Sequence, residues 1–233
     1  MSTLGANVLP SHEHGHGAEH DHDSHQQHHF ATREQQADTS KIGMWLFLVT
    51  EVLLFGGLFV GFAMMQVRYP LEFVEAHQHL NRWQGALNTV VLLFSSFTMV
   101  MAVDSAKKNK QKASARYLLA TIACAFIFLV VKYFEYSHKI EEGWLPGYYY
   151  HAIGDTFPGS RGYATFFSFY FMMTGLHGIH IVAGIGVLTW ILKRTRRGEF
   201  SSAYYTPVDL VGLYWHLVDM IWIYLFPLYY LIQ

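Results

Sequence analysis

The sequence predicts an all-α polytopic membrane protein with five transmembrane helices, N-terminus inside and C-terminus outside. Three observations point there. Of the 233 residues, 52% are hydrophobic and only 14% charged, against about a quarter charged in soluble domains. Five apolar runs each reach the ~20 residues that a helix needs to cross ~30 Å of hydrocarbon. The lysines and arginines gather in alternate connections, as the positive-inside rule requires.

The chain opens on a polar tail, residues 1–41. Eight of its histidines fall within "SHEHGHGAEHDHDSHQQHHF". With few large apolar side chains it cannot bury a core, so disorder is expected. No charged start followed by an apolar core marks a cleavable signal peptide. The irregular histidine spacing reads first as a solvated, pH-sensitive tail. Weak binding of Zn, Cu or Ni is the alternative.

The expected spans follow at about 43–66, 84–103, 116–136, 162–192 and 206–231. The last two exceed one bilayer thickness and should tilt or project into water. The 104–116 connection holds Lys107, Lys108, Lys110, Lys112 and Arg116. The 193–205 connection holds Lys193, Arg194, Arg196 and Arg197, and the tail adds Arg33 and Lys41. The opposite connections carry Arg68, Arg82, Lys139 and Arg161, offset by Glu72, Glu75, Glu141, Glu142 and Asp155. Trp83, Trp144, Tyr148, Tyr149 and Tyr150 are expected at the outer boundary as an aromatic belt. His77 and His79 fall in the first outer connection and are expected to be solvated. Gly57 and Gly61 form a GxxxG pair, and Gly175, Gly178, Gly184 and Gly186 thin the fourth span for close packing. The methionines are scattered and read as packing. The single Cys124 forms no intrachain disulfide and no CxxC motif.

Net charge is near zero, which offers no basic surface for nucleic acid. No GxGxxG, Walker loop, HExxH or nucleophile–His–Asp pattern appears. The informative residues are the ionisable ones inside the spans, which are costly in hydrocarbon and face protein or water. Glu51 lies in the first span. Lys132 and Glu135 are three apart on the third, His177 and His180 three apart on the fourth, and His216 and Asp219 three apart on the fifth, between Trp215 and Trp222. At ~1.5 Å rise per residue, Glu51 lies ~12 Å from the inner end and His216 ~15 Å. His180 lies ~18 Å deep and Asp219 ~20 Å. Depth alone thus pairs Glu51 with His216, and His180 with Asp219. Three uses compete for these groups: interhelical hydrogen bonds that fix register, a proton-handling role for Glu51, and metal or haem ligation. No further ligand accompanies His177 and His180, so ligation is the weakest.

"FLVTEVLLFGGLF" resembles the first shared helix of subunit III of the haem–copper oxidases. That helix carries a buried carboxylate, here Glu51. "ALNTVVLLFSSFTMVMA" is similar to the next helix of that family. "KYFEYSHKI" is similar to its EY segment with Glu135 and Tyr136, and "TGLHGIHIVAG" to its HGxH helix with His177 and His180. "YWHLVDMIWIYLFPLYY" is similar to its last helix, with Trp215, His216, Asp219 and Trp222. The likeness covers roughly residues 41–233, in order, and is to the five-helix bacterial form, which often carries a His-rich tail. It implies a subunit III of a cytochrome c oxidase of the aa3 type, with Glu in place of Asp at position 51 favouring the cytochrome c class.

The resemblance implies a non-catalytic subunit of a proton-pumping, O2-reducing complex in the bacterial inner (plasma) membrane. No cofactor is expected in this chain; haem and copper are expected in partner subunits. Oxidase subunit I is the expected main partner, with other oxidase subunits, structural phospholipids and a respiratory supercomplex beside it. Glu51 is expected to support proton uptake. Glu135, His177, His180, Trp215, His216, Asp219 and Trp222 are expected in interhelical and lipid-cleft contacts. A quinol oxidase subunit III, a nitric oxide reductase-associated homologue and a stand-alone transporter are the alternatives.

Overall fold

The computed structural model describes residues 32–145, 160–202 and 204–231. The histidine-rich stretch, Tyr148, Tyr149, Tyr150 and Asp155 lie outside the described residues. The described residues are helical, apart from turns and one isolated bridge between Ser201 and Tyr204. Their helices are α1 (Arg33–Arg68), α2 (Pro70–Ala76), α3 (Arg82–Lys107), α4 (Gln111–Glu141), α5 (Ser160–Arg196) and α6 (Thr206–Tyr230), with a 3-10 turn at His77–His79. Among the described residues, five of these helices (all but α2) are long and apolar enough to cross a membrane. In hydrocarbon a helix is the form in which one segment satisfies its own backbone polar groups.

The chain divides into residues 1–40 and residues 41–233. In the first unit helix begins at Arg33, ten residues ahead of the expected start at 43. The Thr32 hydroxyl accepts from the Gln35 N–H at 3.1 Å, an N-cap. Glu, Gln and Ala after it are good helix formers, so these polar residues of the tail are helical rather than disordered.

In the second unit α3, α4, α5 and α6 form a closed four-helix ring, each touching the next and α6 returning to α3. Asn81 caps α3 by accepting from the Trp83 N–H at 3.1 Å. Pro70 and Pro207 sit in the first turns of α2 and α6, where the missing N–H removes no helical bond. Close approach of α5 and α6 depends on Gly184: a Cβ there would lie 2.6 Å from the Trp215 ring. Asn109, at φ 57°, turns the chain from α3 into α4. Its carboxamide accepts from the Ser202 N–H at 2.6 Å and donates to the Ser202 hydroxyl at 3.2 Å. The two lysine- and arginine-rich connections are thereby tied together. α2 packs on α5.

From residue 41 onward α1 meets the ring through side chains and not by close backbone approach. Phe62 lies 5.1 Å from Tyr229 and 5.2 Å from Phe73 between ring centroids. Phe55 packs edge-on against His180 at 5.6 Å. Of the expected GxxxG pair, Gly61 meets Phe169, where a Cβ would lie 3.4 Å away, whereas Gly57 faces open space.

Two expectations at the end of the bundle opposite the basic connections are corrected. Trp83 is exposed as a belt residue should be, but Trp144 is buried and stacks on Phe167 at 4.4 Å. His77 is also buried and accepts from the Arg82 guanidinium at 2.9 Å. His79 is exposed, as expected, with its ring 4.7 Å from that of Trp144. Both connections at this end place rings against protein.

Candidate functional site

The intramembrane polar residues form three groups, with some left over. The first joins α1 to α5. His180 Nε2 lies 2.9 Å from Glu51 Oε2, and its Nδ1 lies 2.8 Å from the Leu176 carbonyl oxygen. A carbonyl only accepts, so Nδ1 carries the hydrogen. The bond between Nε2 and Oε2 then holds one proton, on the ring or on the carboxyl. Glu51 and His180 retain 14% and 15% of their side-chain exposure, so the pair stands at the edge of the fold. Tyr214 of α6 supports it by donating to the His180 carbonyl at 2.9 Å.

The second group is the ion pair Lys132–Glu135 at 2.9 Å, with 9% and 2% side-chain exposure. The Lys132 ammonium also donates to Tyr230 at 3.0 Å and to Tyr170 at 3.3 Å. Tyr230 donates to the other oxygen of Glu135. All three ammonium donors are used, and the charge lies over the Trp222 ring at 4.8 Å. Each charge is thus paired and hydrogen-bonded, the condition for burying it.

The third group ties α3 to α6. Trp215 Nε1 donates to Ser95 at 2.9 Å and Trp222 Nε1 to Thr89 at 3.1 Å. His216 Nδ1 and the Ser96 hydroxyl are 2.7 Å apart. His177 and Asp219 are buried, and neither makes a side-chain hydrogen bond. His177 instead lies between Phe128 at 5.5 Å and Trp222 at 5.4 Å.

Depth therefore misassigns both pairs: Glu51 binds His180, not His216, and Asp219 does not meet His180. Depth sets height along the membrane normal but not direction around a helix. His216 faces α3, and Glu51 faces α5. Three residues advance a helix by roughly 300°, so His177 and His180 diverge by roughly 60°. One ring enters the bundle and the other turns to α1. Among the described residues no three His, Cys, Asp or Glu side chains gather as a metal-binding group.

Sequence reasoning missed Thr89, Ser95, Ser96, Tyr170 and Tyr230. A signal for the first two existed, because an indole N–H in hydrocarbon needs an acceptor. Trp215 and Trp222 stand seven apart, two turns of one face, and the acceptors Ser95 and Thr89 stand six apart on the antiparallel neighbour.

A sequence model described as cytochrome c oxidase subunit III matches residues 20–232. The chain belongs to the cytochrome c oxidase subunit III family. It is 30% identical over 192 residues to a "Probable cytochrome c oxidase subunit 3" of Mycobacterium leprae (strain TN), covering 82% of this chain and 87% of the relative. It is 28% identical over 206 residues to the "Cytochrome c oxidase subunit 3" of Thermostichus vulcanus, covering 85% and 90%. A "Probable quinol oxidase subunit 3" of Staphylococcus haemolyticus (strain JCSC1435) is 28% identical over 209 residues, covering 90% and 96%. These subunit III relatives carry two electron-donor names at nearly equal similarity, so similarity alone does not separate the donors. With five apolar helices, the chain is a multi-pass membrane protein of the oxidase subunit III family and a component of an oxidase complex.

Proposed function

We propose that this chain is the accessory subunit III of an aerobic haem–copper terminal oxidase of the cytochrome c type, packed on subunit I in a bacterial plasma membrane. The tail and the lysine-rich connections face the cytoplasm, and the C-terminus faces outward. Haem and copper reside in the partner subunits. The exposed apolar faces of α1, α4 and α5 meet subunit I and phospholipid.

The observation that carries the functional part is the Glu51–His180 bond. It holds a single proton between a carboxyl and an imidazole at the partly exposed edge of the fold. Such a pair accepts and returns a proton at little geometric cost. It sustains proton uptake by the catalytic subunit during turnover.

The test is Glu51→Gln in the intact complex. Assembly and initial rate should match wild type, while activity should decay faster over repeated turnovers. Wild-type decay would remove the proton role. A quinol oxidase is the second reading, favoured by the staphylococcal relatives. Oxidation of cytochrome c against quinol by the purified complex decides between the two. Recovery of this chain from mild detergent as a haem-free bundle would favour a stand-alone transporter. A nitric oxide reductase as the co-purified enzyme would point to the remaining alternative.

A further inference from the structure

A cavity of about 310 Å³ opens where the connection before α3 meets the last turns of α4, at the end opposite the basic connections. Its lining includes Asn81, Gln84, Glu135, His138, Lys139 and Glu142. Two of these are charged and more than nine-tenths buried: Lys139 is 5% exposed and Glu135 3%. They stand one turn apart on α4, with Cβ atoms ~5–6 Å from each other.

Both keep hydrogen-bonding capacity. Among the described residues the Lys139 ammonium donates to Glu142 alone, which leaves two of its three donors. Glu135 accepts one bond at each oxygen, from Lys132 and from Tyr230, whereas a carboxylate has about four acceptor sites. Glu142 is engaged by Lys139, His138 and the Trp144 indole. The cavity thus presents spare donors of a buried cation and spare acceptors of a buried anion. Burying a charge is least costly when its hydrogen bonds are all made. A lone anion at Lys139 would be repelled by Glu135 and Glu142, and a lone cation at Glu135 by Lys139. A ligand carrying both signs meets both needs.

The surroundings make that ligand an amphiphile. Gln84 and His138 line the cavity. One turn further into the span stand Leu87 on α3 and Phe134 on α4, 51% and 63% exposed. Trp83, next to Gln84, is also exposed, as at a bilayer boundary. A polar cavity at the boundary therefore stands over apolar surface that faces hydrocarbon.

We propose that this cavity holds the headgroup of a phosphatidylethanolamine in the leaflet at this end. Its phosphate lies on Lys139, its primary ammonium on Glu135, and its acyl chains run over Leu87 and Phe134. A primary ammonium brings N–H donors that a quaternary choline headgroup lacks, so the site selects ethanolamine. The site rests only on the membrane setting of the proposed function. It shares no residue with the Glu51–His180 pair and depends on no particular electron donor, so either role stands or falls alone.

The test is native mass spectrometry of the intact complex, delipidated and then titrated with phosphatidylethanolamine or phosphatidylcholine. Wild type should hold one more phosphatidylethanolamine than Gln84→Trp, whose indole fills the cavity and leaves both charges in place. With phosphatidylcholine the two counts should agree. Lys139→Met should weaken that one binding step roughly tenfold, the scale of one charge-assisted hydrogen bond. Gln84→Trp decides alone where Lys139→Met does not fold. Equal phosphatidylethanolamine counts in wild type and folded Gln84→Trp overturn the site. An extra phosphatidylcholine in wild type overturns the choice of headgroup. Displacement by an equal concentration of soluble glycerophosphoethanolamine overturns the lipid, because the headgroup would then bind without its chains.

Discussion

The Lys132–Glu135 pair and the Glu51–His180 pair are both acid–base contacts at bond lengths of 2.9 Å, yet their settings are opposite. The first stands inside the four-helix ring with every ammonium donor filled and two tyrosines closing it. The second stands where α1 leans on α5, with one proton to share and part of each side chain uncovered. Burial follows the same division. The apolar window of α6 is 44% buried and that of α1 only 17%. A saturated pair in a tight ring holds helices in register. The pair at the α1 contact is held by fewer bonds and is the one to which a proton role is proposed.

The strongest way to break this comparison is at the core. Glu135→Leu alone leaves the Lys132 charge buried and unpaired, and should destabilise the bundle by about 3–5 kcal/mol. Adding Lys132→Met should recover most of that loss, because an apolar replacement of both partners restores a satisfied core. Reversible unfolding in detergent measures both. Equal losses in the single and double variants would mean the pair matters through packing alone.

Glu51→Gln sharpens the contrast with a smaller effect. Its carboxamide still reaches His180, so the stability change should stay within about 1 kcal/mol, the scale of one hydrogen bond. A loss as large as that of Glu135→Leu would make the α1 contact a structural one.

The smallest effect is expected at the end opposite the basic connections. There burial, and then the Lys139 ammonium, hold the His79 imidazole below its ordinary value of 6.5, with Glu142 opposing. Burial raises Glu142, but the hydrogen bond and charge of Lys139, then His138 and the Trp144 N–H, leave it below the ordinary 4.5. Both shifts act in one direction. The His79 contribution is present above 6.5 and fades as pH falls toward the folded value, because the released ring takes up the proton first. The Glu142 contribution is present above 4.5 and is lost as pH falls through its lowered value. Amide protection at 77–81 and 142–145 should therefore decline from pH 7 to about 5. His79→Gln should confine the decline to the acid window of Glu142.

The five spans were legible because a run of twenty apolar residues has one stable form in lipid. The buried acids and histidines were legible by the same logic, since each is conspicuous in such a run. Their partners were not. A sequence gives height along each helix but no neighbour order. Seating α1 against α5 brought Glu51 to His180, although depth placed it with His216. The hydroxyls that accept from Trp215 and Trp222 are ordinary residues of apolar helices, recognisable only once α3 and α6 are known to touch. Trp144 and His77 misled for a related reason. Trp144 was expected in an interfacial belt and His77 in water, whereas both rings, from two different connections, are buried against protein.

The tie between Asn109 and Ser202 has a consequence for biosynthesis. The turn at Asn109 between α3 and α4 is synthesised 93 residues before Ser202 exists. At ~5–20 residues per second the turn waits on the order of ten seconds for its partner. Until then it is an open cytoplasmic loop in the proposed orientation, accessible to membrane proteases. Closure of this latch marks a chain whose fourth crossing has been made, and any product truncated before that point keeps the loop exposed.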